Sequence, residues 1–125
     1  MLFESIRDIL VELLDLEADA IQLESYLVRD LGVESIDFLE LAVALNERFK
    51  IPVHDDTVFL RHLRLHLTEA EAAGQPPLEF LKPLYGFLSE QRLAQIVSDL
   101  DGGPVIQVQD LMGYVTWQLT RAKAA

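Results

Sequence analysis

Cysteine is absent from the 125 residues, which excludes disulfides and zinc–thiolate centres. Basic side chains are scarce, with 10 Lys and Arg against 21 Asp and Glu and a formal charge of −11. Nucleic-acid binding needs a basic footprint, so the balance argues against a nucleic-acid partner and towards basic protein surfaces. No run approaches the ~20 apolar residues of a membrane span. Acids within Met1 to Asp8 stand where a secretory leader needs positive charge. Stable membrane insertion is therefore not expected, and a cytoplasmic location is. No Ser/His/Asp order and no paired-carboxylate motif stands out, and there is no internal repeat or low-complexity tract.

Half of the residues are apolar, enough for a chain of this length to bury one core without staples. A single domain is the expectation. The charge is unevenly placed. Residues 1–57 carry a net −10, residues 58–107 a net −2 and residues 108–125 a net +1. Charge gathered in one half predicts one acidic face that steers association.

Apolar spacing predicts an all-α bundle. Leu2, Ile6, Ile9, Leu10, Leu13 and Leu14 give a first amphipathic helix over about 2–16. Residues 17–34 read as a long connection with a short turn near Ser25–Asp30, closed by Gly32. A second helix comes next over about 35–49, with Ser35 as its N-cap and Asp37 in the first turn. Ile36, Leu39, Ala42, Val43, Leu45 and Phe49 share an apolar arc expected to face the core. Glu34, Asp37, Glu40 and Glu47 fall opposite. Residues 57–67 suit a helix or a strand, and helix is preferred because a lone strand has no partner. Gly74, Pro76, Pro77 and Pro83 interrupt the stretch after it. Ser89 predicts the cap of a helix over about 90–100, Asp101 to Pro104 a loop, and Val108 to about 122 a last helix. His62 and His66 are spaced i, i+4, but no carboxylate joins them in a ligand pattern, so no metal site is assigned.

One stretch carries more than architecture. Asp30-Leu31-Gly32-Val33-Glu34-Ser35-Ile36-Asp37, with Glu40-Leu41, Ala44-Leu45, Phe49 and Ile51-Pro52, sets a serine at the start of an acidic helix, just after a loop. Backbone N–H groups at such a terminus favour a phosphate attached there. By itself the serine reads as an ordinary cap, as most serines at helix starts are, and the acids as a solvated face. The whole pattern, with the last helix Val108-Gln109-Asp110-Leu111-Met112-Gly113-Tyr114-Val115, resembles the acyl carrier protein family. The resemblance spans about 1–53 and 105–122.

The resemblance implies an acyl-carrier-like helical bundle that is a carrier and not an enzyme. It implies that Ser35 takes 4′-phosphopantetheine from coenzyme A through a separate phosphopantetheinyl transferase. On that reading the serine hydroxyl loses its proton and attacks the phosphorus of coenzyme A that bears the pantetheine, displacing adenosine 3′,5′-bisphosphate; this leaves a phosphodiester on Ser35 and a distal thiol that holds an acyl group as a thioester. It implies docking of acyl-loading and acyl-transfer enzymes on Glu34, Asp37, Glu40, Val43 and Glu47, and action as a monomer. The chain also departs from the family pattern. Glu34 stands for the usual Asp, Ile36 for Leu, and Asn46 and Arg48 where carriers of fatty acid synthesis often have Glu. The segment of about 54–104 is far longer than the family needs and is rich in Leu and Phe, with Tyr85 among them. It reads as an insert before the last helix, expected to be helical and to fold onto the bundle. This suggests a specialised carrier for a modified-lipid, surface-lipid or secondary-metabolite pathway. An aminoacyl or peptidyl carrier and an unmodified helical adaptor are the alternative readings.

Overall fold

The computed structural model describes residues 2–124. Seven α-helices form among these residues: α1 Leu2–Leu14, α2 Ser35–Phe49, α3 Asp55–Val58, α4 Leu63–Ala72, α5 Pro77–Leu81, α6 Glu90–Ser98 and α7 Val108–Ala124. Two 3₁₀ turns, Ala18–Ala20 and Leu100–Gly102, lie in the connections. No strand forms among the described residues, and the architecture is the expected all-α bundle. α1 packs on α2 and α7, α3 bridges α2 and α7, and the later helices pack in sequence, α4 on α5 and α5 on α6.

Each main helix has a local cause. α1 buries Ile6, Ile9 and Leu10, the inner stripe of its periodic pattern. α6 starts where Ser89 Oγ accepts the Arg92 backbone N–H at 3.0 Å, the N-cap geometry the sequence predicts. Lys50, in the left-handed region at φ 55°, closes α2 by donating its N–H to the Asn46 carbonyl at 2.9 Å. The Asn46 side chain then donates to the Ile51 carbonyl at 2.6 Å. A glutamate side chain at position 46 would have no N–H to give to that carbonyl.

The core is one cluster in which Ile6, Leu10, Leu41, Leu45, Leu111 and Tyr114 meet Val58, Leu63, Leu81, Leu93 and Ile96. Segment 54–104 thus contributes buried side chains to the same core as the flanking helices. Phe87 sits edge-on to Tyr114 with ring centres 5.2 Å apart. Gly113 permits that approach, because a Cβ there would lie 2.9 Å from the Phe87 carbonyl oxygen. Trp117 and Tyr114 are packing residues, as their positions on the last helix suggest.

Three expectations are corrected. Residues 57–67 are not one helix. α3 ends at Val58, Leu60 takes a left-handed φ of 59°, and α4 runs on to Ala72. The chain buries both Phe59 and Leu60 at this turn. Leu100 leaves α6 for the adjoining 3₁₀ turn. The arc of α2 facing the core is also not the one expected. Leu41 and Leu45 are fully buried, whereas Ile36, Leu39 and Val43 are 63%, 56% and 57% exposed.

Candidate functional site

The site is built on the loop that leads into α2. Leu27 N–H donates to the Ile106 carbonyl at 3.0 Å, and Val33 N–H donates to the Leu27 carbonyl at 2.9 Å. Val108 N–H donates to the Ser25 carbonyl at 3.0 Å, and Tyr26 forms an isolated antiparallel bridge with Gln107. The loop is thereby pinned to the segment before α7. Gly32, at φ +73°, makes the turn, a conformation that a side chain would strain. Leu31 and Val33 are buried on either side of it.

Position 35 differs from its expected role. Glu34 is the N-cap, with extended backbone at φ −105° and ψ 171°, and Ser35 is the first helical residue. Asp37 takes over the capping, its Oδ2 accepting the Glu34 backbone N–H at 2.9 Å. The Ser35 side chain is therefore released from cap duty. It is exposed, and its hydroxyl has no hydrogen-bond partner among the described residues.

Ser35 lies on the rim of a groove of about 740 Å³. Val33, Phe38, Phe59, Leu60, Leu63, Val105 and Ile106 are part of its lining. Phe38 and Phe59 pack against each other there, with ring centres 4.7 Å apart. An exposed, unengaged hydroxyl at a helix start, opening on a largely apolar groove, fits a phosphate-linked arm ending in apolar cargo.

The other named positions fall along the outer face of α2. Glu40, Val43 and Glu47 line a second, shallower depression of about 400 Å³ with Leu13, Leu39 and Ala44. Glu34 sits apart, at the rim of the Ser35 groove, and Asp37 is half-buried beside the helix start. The face is thus mixed, acids interleaved with exposed aliphatic side chains, and not the purely acidic arc expected. A signal was present in the sequence: an amphipathic helix with more apolar residues than one arc can bury must expose some of them.

Two of the histidines lie beside acids. His66 Nδ1 lies 2.7 Å from Glu69 Oε1 and His62 Nε2 lies 3.6 Å from Asp56 Oδ2. No group of three or more His, Cys, Asp and Glu able to hold a metal occurs among the described residues. Nor is any helix among them long and apolar enough to cross a membrane.

The chain is similar in sequence to proteins of known family. The family model described as "Phosphopantetheine attachment site" matches residues 4–64. The acyl carrier protein of Campylobacter concisus is 43% identical over 53 residues, 42% of this chain and 69% of that protein. That of Campylobacter jejuni strain RM1221 is 42% identical over the same length and shares. That of Campylobacter hominis is 43% identical over 53 residues, 42% of this chain and 67% of the relative. No solved structure matches. A phosphopantetheine attachment domain within a helical bundle makes the chain a carrier that works with a phosphopantetheinyl transferase and acyl-handling enzymes. The chain belongs to the acyl carrier protein family.

Proposed function

We propose that Ser35 is the residue to which 4′-phosphopantetheine is attached, and that the chain presents an acyl thioester on that arm to the enzymes of a specialised lipid, surface-lipid or secondary-metabolite pathway. The observation that carries the reading is the exposed Ser35 hydroxyl, relieved of capping by Glu34 and Asp37 and opening on the apolar groove. The arm would supply a terminal thiol, the only one in the holo-protein since the chain has no cysteine. The protein's own residues bind and orient. The N–H groups of the first turn of α2 face the phosphate, and the groove walls take apolar cargo at roughly 0.8 kcal/mol per buried CH₂.

Docking falls to Glu34, Asp37, Glu40, Val43 and Glu47, with Ile36 and Leu39 beside them. Charges on such a face raise the association rate, and the aliphatic side chains give contact area once the partner arrives. The specialised pathway is supported by segment 54–104, which supplies Phe59, Leu60, Leu63 and Leu100 to the groove beside Ser35. We take the chain as one domain of core 1–53 and 105–122 with that segment inserted, acting as a cytoplasmic monomer. The shared cluster of buried side chains supports the single domain.

Intact mass tests the attachment. Incubated with coenzyme A, Mg²⁺ and a broad-specificity phosphopantetheinyl transferase, the chain should gain one phosphopantetheinyl unit, and Ser35→Ala should gain none. An unmodified wild-type chain, or a modified Ser35→Ala variant, would refute the assignment.

A further inference from the structure

The groove beside Ser35 has a charge at odds with the surrounding chain. The first 57 residues carry a net −10, yet the cations lining this groove are two, Arg61 and Arg64, against the single acid Glu34. Both arginines come from the segment that breaks the expected helix. The left-handed turn at Leu60, φ 59°, is an outlier for a bulky residue. It turns Phe59 and Leu60 into the core and sets Arg61 and Arg64 along the groove wall. Strain of this kind persists where the surroundings over-determine it, and it gathers at functional sites.

Neither guanidinium is committed to a carboxylate. Arg61 approaches Asp55 and Asp56 at 4.0 and 3.9 Å, beyond hydrogen-bond length and between exposed groups, where such pairs contribute little. Arg64 donates through one NH2 group to the Leu100 carbonyl at 2.9 Å and has no carboxylate partner among the described residues. Arginine presents five donors in a planar fork suited to phosphate, so donors remain on both. A phosphodiester on Ser35 would bring a further negative charge next to Glu34 and Asp37, and cations lining the same groove would offset that repulsion.

We infer that Arg61 and Arg64 form an anion clasp for the phosphodiester of the 4′-phosphopantetheine arm, holding the root of the arm against the groove and not free in solvent. The inference rests on attachment at Ser35. It assigns to the α3–α4 turn a positioning role that the serine motif alone does not contain.

The test uses holo-protein whose mass confirms one phosphopantetheinyl unit, and it reads the ³¹P resonance of the phosphodiester. Arg61→Gln and Arg64→Gln should each displace and sharpen that resonance, and Arg64→Lys should fall between wild type and Arg64→Gln, because lysine keeps charge but not the fork. In wild type, raising the salt should move the resonance towards its position in the double variant. Lys123→Gln, which removes an exposed charge at the far end of α7, should leave it in place. Should Arg64→Gln lose native amide shifts along with its Leu100 bond, Arg61→Gln decides, since that side chain holds no hydrogen bond among the described residues. Superimposed ³¹P resonances in wild type and Arg61→Gln holo-protein would overturn the clasp and leave attachment standing. Failure of wild type to gain the arm would overturn both.

Discussion

At the scale of single residues, the most telling one-position shift is at the start of α2. Ser at the head of an acidic helix satisfies every sequence rule for an N-cap, yet Glu34 takes that place and Asp37 supplies the cap hydrogen bond. The choice matters because a capping hydroxyl is engaged and a first-turn hydroxyl is not. A second residue, Asp99, is held by side chains 73 and 70 positions away. The Tyr26 hydroxyl donates to it at 2.6 Å and Arg29 at 3.1 Å, and together they keep its carboxyl below the ordinary carboxylate range. In the unfolded chain the carboxyl returns to that ordinary range. Its contribution to stability is therefore present above the unfolded value and drains away as pH falls through the folded one. Asp99→Asn should remove that part of the acid dependence. Urea midpoints measured from neutral to acid pH check it: the variant's curve should be flatter on the acid limb, and parallel curves would show that Asp99 plays no part.

At the scale of elements, α2 is both the most legible helix and the one whose orientation misled. Its limits, Ser35 to Phe49, follow from local chemistry. Its inner face does not, because Ile36, Leu39 and Val43 are as apolar as Leu41 and Leu45, and only the neighbours decide which are covered. The exposed set, interleaved with Glu40 and Glu47 around the shallow depression, is the surface where partner contact is expected. Glu40→Lys should change folding stability by no more than about 0.5 kcal/mol, since the side chain is exposed. It should nevertheless slow loading by the transferase several-fold at low salt, with the difference shrinking as salt rises. Val43→Asp should slow the same step with little salt dependence, because it removes contact area rather than attraction. Unchanged loading rates in both variants would remove α2 as the docking element. The α3–α4 break was not legible at all. A left-handed leucine carries no local signature, and it exists because burying Phe59 and Leu60 outweighs the local backbone strain.

At the scale of the whole molecule, the least legible feature is the staple that binds segment 54–104 to the helices around it. Arg92 and Asp110 are 18 positions apart, and no local sequence pattern pairs them. In the structure they are 8% and 1% exposed and joined by a two-pronged ion pair, Nε to Oδ1 at 2.8 Å and a terminal NH2 to Oδ2 at 2.9 Å. The same guanidinium donates to the Val105 carbonyl at 3.0 Å, and Asp110 Oδ2 accepts the Gln107 N–H at 2.8 Å. One buried pair thus joins α6, the segment that pins the Ser35 loop, and the first turn of α7. Removing one partner of such a pair strands the other in a low-dielectric interior, at a cost of about 3–5 kcal/mol. Asp110→Ala should lose stability on that scale in urea unfolding. The double variant Asp110→Ala with Arg92→Met should recover much of it, because the uncompensated charge goes with the arginine. A loss below about 1 kcal/mol for Asp110→Ala would show that the pair is not what holds the segment. Cutting out residues 58–100 is the harsher version of the same experiment. It removes Arg92, Leu93 and Ile96 together and leaves Asp110 buried and unpaired, so the shortened chain should fail to fold and not return a simpler carrier. A folded, cooperative shortened chain would mean instead that this segment is added to a bundle that does not depend on it.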